Sequence, residues 1–470
     1  MDSVLCDELL QEIFHRLPPL CSAKVSLVCK RWLRLLRSST SSLTLYFSPT
    51  SYNSTTINSL SSFLSEHPCL FSLSLTLPTD CPTSSAVHVL LCAAASCPNL
   101  RLLRFLSTPV SPFSLFNLSN SCNHLSSLTI SLSRPLYFHW VKFFNSLKHL
   151  SLFLANPSTQ FNSLYVNEMN EILDVELGLE SLSLSGIRPG DFGLNFLWRN
   201  CKSIKKLQLK SCESLGDNAS FLGFIMRQKG LQEVELRTCR SIVDGVLMKL
   251  AENCISLDFL LVYDGGGSEG LHQFISQNKC KLRKLDFRLP LDLYDGHLIA
   301  ISENLNFRSL VSLRLQSCCL VTGEGLKALG RVMGNVLEEL ALINCDIVER
   351  ESGLLTTLGQ DLKRLRKLDL SYNEMLLDRE FISMLVSCNC LSELKLRGCN
   401  RLTSLSVNSM IRNCKLLQSV DITSCCGIEV EAVELFLLNT PQLRKVQVEQ
   451  SKISNVARTW LMNKFIEVVA

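Results

Sequence analysis

The chain lacks an excess of charge of either sign: 47 Lys+Arg against 43 Asp+Glu leave +4 over 470 residues. So small a balance gives no general pull toward nucleic acid or an acidic membrane surface. Charged residues are scarce at 19% while hydrophobic ones reach 46%, which excludes a chain disordered throughout. Long apolar runs are missing too. The longest, Ala86 to Cys97, is about twelve residues and holds His88 and Ser96, whereas a membrane span needs roughly twenty. The opening MDSVLCDELLQEIF carries four acids in its first twelve residues, the opposite of a secretory signal. These absences predict a soluble, intracellular chain, cytoplasmic and/or nuclear, with no membrane and no nucleic-acid partner.

Catalytic signatures are absent as well. The eight histidines are dispersed, there is no G-x-S-x-G elbow, and no Cys/His pair sits at a recognisable spacing. The glycine run Asp264-Gly265-Gly266-Gly267-Ser268 lacks the following Lys-Ser/Thr of a phosphate loop. We therefore expect no enzyme. Cysteine, by contrast, is plentiful: 22 residues at scattered spacings, none of them C-x-x-C. In a long chain without an export signal this pattern argues for reduced thiols and gives zinc little support.

What the chain does have is a repeat. IKKLQLKSC from Ile204, LQEVELRTC from Leu231, LVSLRLQSC from Leu310, LEELALINC from Leu337, LSELKLRGC from Leu391 and LQSVDITSC from Leu417 share the form L-x-x-L-x-L-x-x-C. Weaker copies start at Leu70, Leu100, Leu125, Leu147, Leu179, Leu257, Leu282, Leu365 and Leu443. The mean spacing over these fifteen starts is (443 − 70)/14, a little under 27 residues, inside the leucine-rich-repeat range. Within each unit the period changes. L-x-L is a short strand with both leucines on one face. The stretch after it, as in Val243 to Cys254 or Gly323 to Met333, recurs at 3.6, with Leu326, Leu329, Val332 and Met333 on one helical face. Such units bury their apolar faces only by stacking. The expected fold is α/β: a right-handed leucine-rich-repeat solenoid, a horseshoe with an inner parallel sheet and outer helices.

Twelve cysteines fall at two repeat positions. Cys97, Cys122, Cys201, Cys254, Cys388 and Cys414 sit three residues before a repeat start, and Cys212, Cys239, Cys318, Cys345, Cys399 and Cys425 take the ninth place. Thiols behave as small buried hydrophobes, so these should be buried and unbridged. The spacings resemble the cysteine-containing, plant-like subclass of leucine-rich repeats. Extracellular receptor repeats carry Asn at the ninth position, which only Asn373 does here.

Residues 5 to 37 follow another pattern. Leu9, Leu10, Ile13, Phe14 and Leu17 form one broad helical stripe, with Asp7 and Glu8 in the first turn and Pro18-Pro19 as its stop. A second helical stretch presents Val25, Val28, Trp32, Leu33 and Leu36. So short a unit must dock on something else. LCDELLQEIFHRLPP…AKVSLVCKRWLRLLRS resembles an F-box, through its Leu-x-Asp-Glu opening, Ile13, Leu17-Pro18 and Val28-Cys29-Lys30-Arg31-Trp32. One departure is Cys6, where that family usually has Pro. The resemblance, over an F-box followed by cysteine-containing repeats, implies a substrate receptor of a Skp–cullin–F-box ubiquitin ligase. It would bind a Skp-type adaptor, and through it a cullin–RING assembly, while its repeats hold a substrate protein. By position, the adaptor-facing or supporting residues are Leu5, Leu9, Ile13, Leu17, Pro18, Val28, Cys29 and Trp32. The same residues also read as the core of a helical cap.

The x positions around L-x-L face the inside of the solenoid. The expected substrate-binding set is Lys206, Lys210, Arg237, Phe259, Leu261, Tyr263, Arg288 and Arg314, with Phe259, Leu261 and Tyr263 as an apolar patch among charges or, alternatively, as irregular core. Some plant receptors of this type use an inositol phosphate; the interleaved Glu233, Glu235 and Asp286 disfavour that, and no cofactor is expected. The domain expectation is 1–42 for the F-box module, 43–450 for about 15–16 repeats, and 451–470 for a capping helix with Val456, Trp460, Leu461, Phe465 and Val468 toward the last repeat. Leu43 and Leu45 read as a half-repeat strand opening the sheet, and the long interval 147–179 as a loop over one rim. Two other functions stay open: a hormone-type small-molecule receptor using the repeat pocket, and a repeat scaffold with a decayed F-box.

Overall fold

The computed structural model describes residues 5–17, 22–47, 54–78, 81–154, 175–191, 193–215, 218–290, 292–464 and 466–469. It divides into two compact units, Met1–Phe224 and Ile225–Ala470. The first opens with three helices, α1 (Asp7–Arg16), α2 (Ser22–Ser26) and α3 (Lys30–Ser39). Seven strands follow: β1 (Ser42–Tyr46), β2 (Ser72–Thr76), β3 (Leu102–Val110), β4 (Ser127–Leu132), β5 (His149–Leu154), β6 (Ser181–Ser185) and β7 (Lys206–Lys210). Each pairs in parallel with the next. The fourth residue of each repeat meets its equivalent in one column, Leu73, Leu103, Leu128, Leu150, Leu182, Leu207, with Leu43 of the half-repeat at its head. Leu43 and Leu45 thus do open the sheet.

The second unit continues the pattern with β8 (Glu233–Arg237), β9 (Phe259–Gly265), β10 (Lys284–Pro290), β11 (Ser312–Gln316), β12 (Glu339–Ile343), β13 (Lys367–Asp369), β14 (Glu393–Lys395), β15 (Ser419–Asp421), β16 (Lys445–Gln447) and β17 (Glu467–Val469). Its column runs Val234, Leu260, Leu285, Leu313, Leu340, Leu368, Leu394, Val420, Val446, Val468. Helices such as Arg240–Asn253 and Gly323–Met333 return the chain between strands. They bury the strand leucines: Leu207, Leu209, Leu342, Leu394 and Leu396 are fully enclosed. Both units are therefore α/β leucine-rich-repeat solenoid, with the helices against one face of the sheet.

The cysteines explain how successive repeats lock. All twelve placed thiols are buried and unbridged. The ninth-position thiol donates back to the carbonyl of the preceding repeat: Cys212 to Leu184, Cys345 to Leu315, Cys399 to Leu370 and Cys425 to Leu396. The residue before each adopts positive φ, as at Ser211, Asn344 and Ser424, which turns the chain out of the strand and under the sheet. Asn373 takes the thiol's place once. Its Nδ2 donates to the Leu342 and Leu370 carbonyls at 2.8 and 2.7 Å, and its Oδ1 accepts from the Cys345 N–H at 2.9 Å. Burial pushes the Cys97 and Cys388 thiols up to about 11 and those of Cys122, Cys201, Cys414 and Cys425 to about 12. These six thiols are packing groups, not nucleophiles.

Three expectations change. The last twenty residues are not one capping helix: a helix over Asn455–Asn463 is followed by strand β17, which puts Val468 in the sheet beside Val446. Leu461 alone of the expected capping face is fully buried, Val456 is 80% exposed, and Phe465 lies outside the described residues. The second helical stretch of the N-terminal module is two helices, with Val28 in the turn between them and Leu35 rather than Leu33 in the core. Val332 points outward from its helix. Most of the long interval, residues 155–174, lies outside the described residues.

Candidate functional site

The N-terminal module is a small core with a wet apolar exterior. Leu10, Phe14, Val25 and Leu35 close its centre, and Leu5, Leu17, Trp32 and Leu36 pack around them half-buried. The Trp32 and Phe14 rings meet at 5.3 Å between centroids. Arg31 staples the start of α1 to α3, donating to Asp7 at 2.9 and 2.6 Å and to the Leu5 carbonyl at 2.9 Å. Cys29 caps α3, its sulfur accepting from the Trp32 N–H at 3.4 Å. Glu8 is held below the usual carboxylate range by its own backbone N–H and by the Cys6 thiol. On the opposite side α3 is tied to the first repeat: Arg37 pairs with Glu66 and lies 5.9 Å over the Phe63 ring.

The expected adaptor set splits on this geometry. Leu9 and Ile13, one turn apart on α1, are 54% and 43% exposed, and Val28 is 58% exposed. Leu5, Leu17, Cys29 and Trp32 instead support the fold from partly buried positions. Pro18 lies outside the described residues. Sequence reasoning missed Leu27, which stands beside Val28 in the turn and is 84% exposed; it lies outside both helical stripes, so periodicity gave no signal. Four large apolar side chains thus stand in water on this small module, and covering each would give about 1.5–3 kcal/mol. Cys6 occupies the α1 N-cap at φ −69°, an angle proline already favours.

The expected substrate set spreads over both units. Lys206 and Lys210 lie on β7 in the first; the other six lie in the second. There the cations are matched. Arg237 forks onto Glu235 at 3.1 and 2.8 Å, Arg288 onto Asp286 at 2.9 and 2.7 Å, and Arg314 lies 3.6 Å from both Asp286 and Asp369. A floor for a polyanion needs uncommitted cations, so the arrangement does not suit an inositol phosphate. Phe259 and Tyr263 are half-buried on the helix-free face. Leu261 corrects the expectation: flanked in register by Glu235 and Asp286, it is only 1% exposed and has almost no surface to offer. A depression of about 140 Å³ lies where small Ala341 sits between Arg314 and Asp369, below the roughly 300–1,000 Å³ of small-molecule sites. No group of His, Cys, Asp and Glu among the described residues is arranged to hold a metal ion. No helix among them is long and apolar enough to cross a membrane.

A compact helical module with an outward apolar face, joined to leucine-rich repeats, defines the class, and comparison with known proteins gives the module its family. Residues 3–42 match the family described as F-box domain. The chain thus carries an N-terminal F-box followed by a leucine-rich-repeat solenoid. Among solved structures, it is similar to the Rad7 and Elc1 complex in yeast, at 15% identity over 93% of this chain and 94% of that one, TM-score 0.46. It is also similar to the TLR13–ssRNA13 complex, at 17% identity over 89% of this chain and 57% of that one, TM-score 0.49.

Proposed function

We propose that this chain is the substrate-recognition subunit of a Skp–cullin–F-box ubiquitin ligase, acting in the cytoplasm and/or nucleus. The observation that carries the reading is an F-box match whose Leu9, Ile13 and Val28 stand exposed on a module anchored to the repeats. In this reading residues 1–42 bind a Skp-type adaptor, with Leu9, Ile13 and Val28 in contact and Leu5, Leu17, Pro18, Cys29 and Trp32 shaping the face. The cysteine-containing repeats from residue 43 onward hold the protein to be ubiquitinated. The chain performs no chemistry; it raises the effective concentration of a target lysine near a ubiquitin-charged enzyme elsewhere in the complex. Closed ion pairs and a shallow depression favour a protein target over a hormone-sized ligand.

The test is co-purification of the full chain with a Skp-type adaptor, beside a Leu9→Asp/Val28→Asp variant. Both side chains are exposed, so the variant's own stability should move by about 0.5 kcal/mol or less. A stable complex that the variant loses supports the reading. Folded chain that captures no adaptor overturns it.

A further inference from the structure

The strands of the first unit carry no acidic residue. β1–β7 hold Arg104, Lys206 and Lys210 and not one Asp or Glu, whereas β8–β17 hold seven cations against nine acids. On the helix-free face of the first unit one register row reads Ser74, Arg104, Thr129, Ser151, Ser183. Hydroxyls donate and accept hydrogen bonds without repelling an anion. Three nearby cations off this face are committed. Lys148 and Lys205 hold Glu180 at 3.0 and 2.7 Å, keeping its carboxyl down at about 2, and Arg134 holds Asp191 at 2.6 Å. Arg104 is exposed and has no ion-pair partner among the described residues. His149 and Lys210 are exposed on β5 and β7.

We propose that this face docks an acidic segment of the target, rich in Asp and Glu, laid across the strands in extended form. The inference rests on the target-holding role assigned to the repeats. β3 and β7 are four strand spacings apart, about 19 Å at roughly 4.8 Å each. An extended chain covers that in about six residues. Carboxylates at its two ends meet Arg104 and Lys210, the hydroxyl row serves its backbone, and His149 stands on the intervening β5, two residues before that row where Lys210 stands two after it. The charged face of the second unit is already neutralised by its own forks, so the strands of the first unit, which hold no Asp or Glu, oppose an added anion less.

The test uses the full chain and fluorescence anisotropy with labelled peptides of roughly ten residues: Glu/Ser, Gln/Ser, Lys/Ser and phosphoserine/Gln. The Glu/Ser peptide should bind, weakening as salt rises, while Gln/Ser and Lys/Ser should not. Arg104→Glu with Lys210→Glu should weaken binding at least about tenfold. Arg350→Glu, a charge reversal on a helix of the second unit, should leave it unchanged. Equal binding of Glu/Ser and Gln/Ser, equal losses in the two variants, or binding of the phosphoserine peptide alone overturns the proposal. Adaptor capture is measured on the same preparations. Intact capture without peptide binding sinks only this docking surface, whereas lost capture sinks the ligase reading itself.

Discussion

Replacing Asn373 by Ala isolates what one inter-repeat lock is worth. Asn373 is 1% exposed and makes three hydrogen bonds to main-chain groups. Its loss strips the acceptor from the buried Cys345 N–H and a donor from the Leu342 carbonyl. The Leu370 carbonyl keeps the Cys399 thiol at 3.1 Å. Two abandoned groups at about 1–3 kcal/mol each give a cost of about 2–6 kcal/mol. Cys399→Ala provides the internal comparison at the same repeat position. The Leu370 carbonyl there keeps the Asn373 amide at 2.7 Å, so the change removes little beyond a small buried sulfur, about 1 kcal/mol. Urea unfolding of the full chain, followed by circular dichroism, measures both; with two compact units the comparison belongs to the transition that moves. Asn373→Ala should lower that midpoint at least about twice as far as Cys399→Ala. Equal shifts would falsify the claim that side-chain bonds to the main chain, and not filled volume, hold the repeats together.

Two further outcomes follow from local geometry. Cys6→Pro should stabilise the F-box by about 0.4–1 kcal/mol, because the backbone already has a proline-like angle and the substitution restricts only the unfolded chain; a lowered thermal midpoint would refute this. His297 is fully buried, with Nδ1 accepting from the Tyr294 N–H at 3.2 Å and Nε2 facing the Ser268 carbonyl at 3.1 Å. That fits a neutral ring, and burial holds its pKa below the ordinary 6.5, aided by the nearby His272. The unfolded chain takes up a proton as pH falls through 6.5 while the folded chain resists it, so the contribution is full above that pH and declines below it. The stability gap between wild type and His297→Gln should narrow from about pH 7.5 to about pH 5.5; a constant gap would show that the ring's protonation is unimportant.

The repeat was legible because two periods coexist in every unit: the two-residue alternation of Leu207 and Leu209 and the helical spacing of Leu326 and Leu329 are both set by what each face must bury. The Cys positions were legible for the same reason. What escaped the pattern was short or non-periodic. Glu467–Val469 is too brief to alternate detectably, and its strand character comes from the neighbouring Val446 offering an open edge. Val28 fell on a helical stripe by spacing, yet the chain turns there, and the turn is what exposes Leu27 and Val28. Leu261 looked like surface because it occupies an outward register position; its closure comes from its neighbours on β8 and β10, which one strand's sequence does not contain. The charge contrast between the strands of the two units was present in the sequence but had no meaning until the register placed those residues side by side.

A thiol that reaches back to the repeat before it makes the array a series of interchangeable links. Cys399 serves Leu370 and Cys425 serves Leu396 in the same way. Excising residues 391–416 would bring Cys425 to Leu370 with nothing left unserved. A cut that is not a whole repeat within this stretch would break the sequence of donors and acceptors at the joint. Where such links run in succession, the array can lose or gain length between the linked strands only by whole repeats, while the connections outside the links stay free to vary.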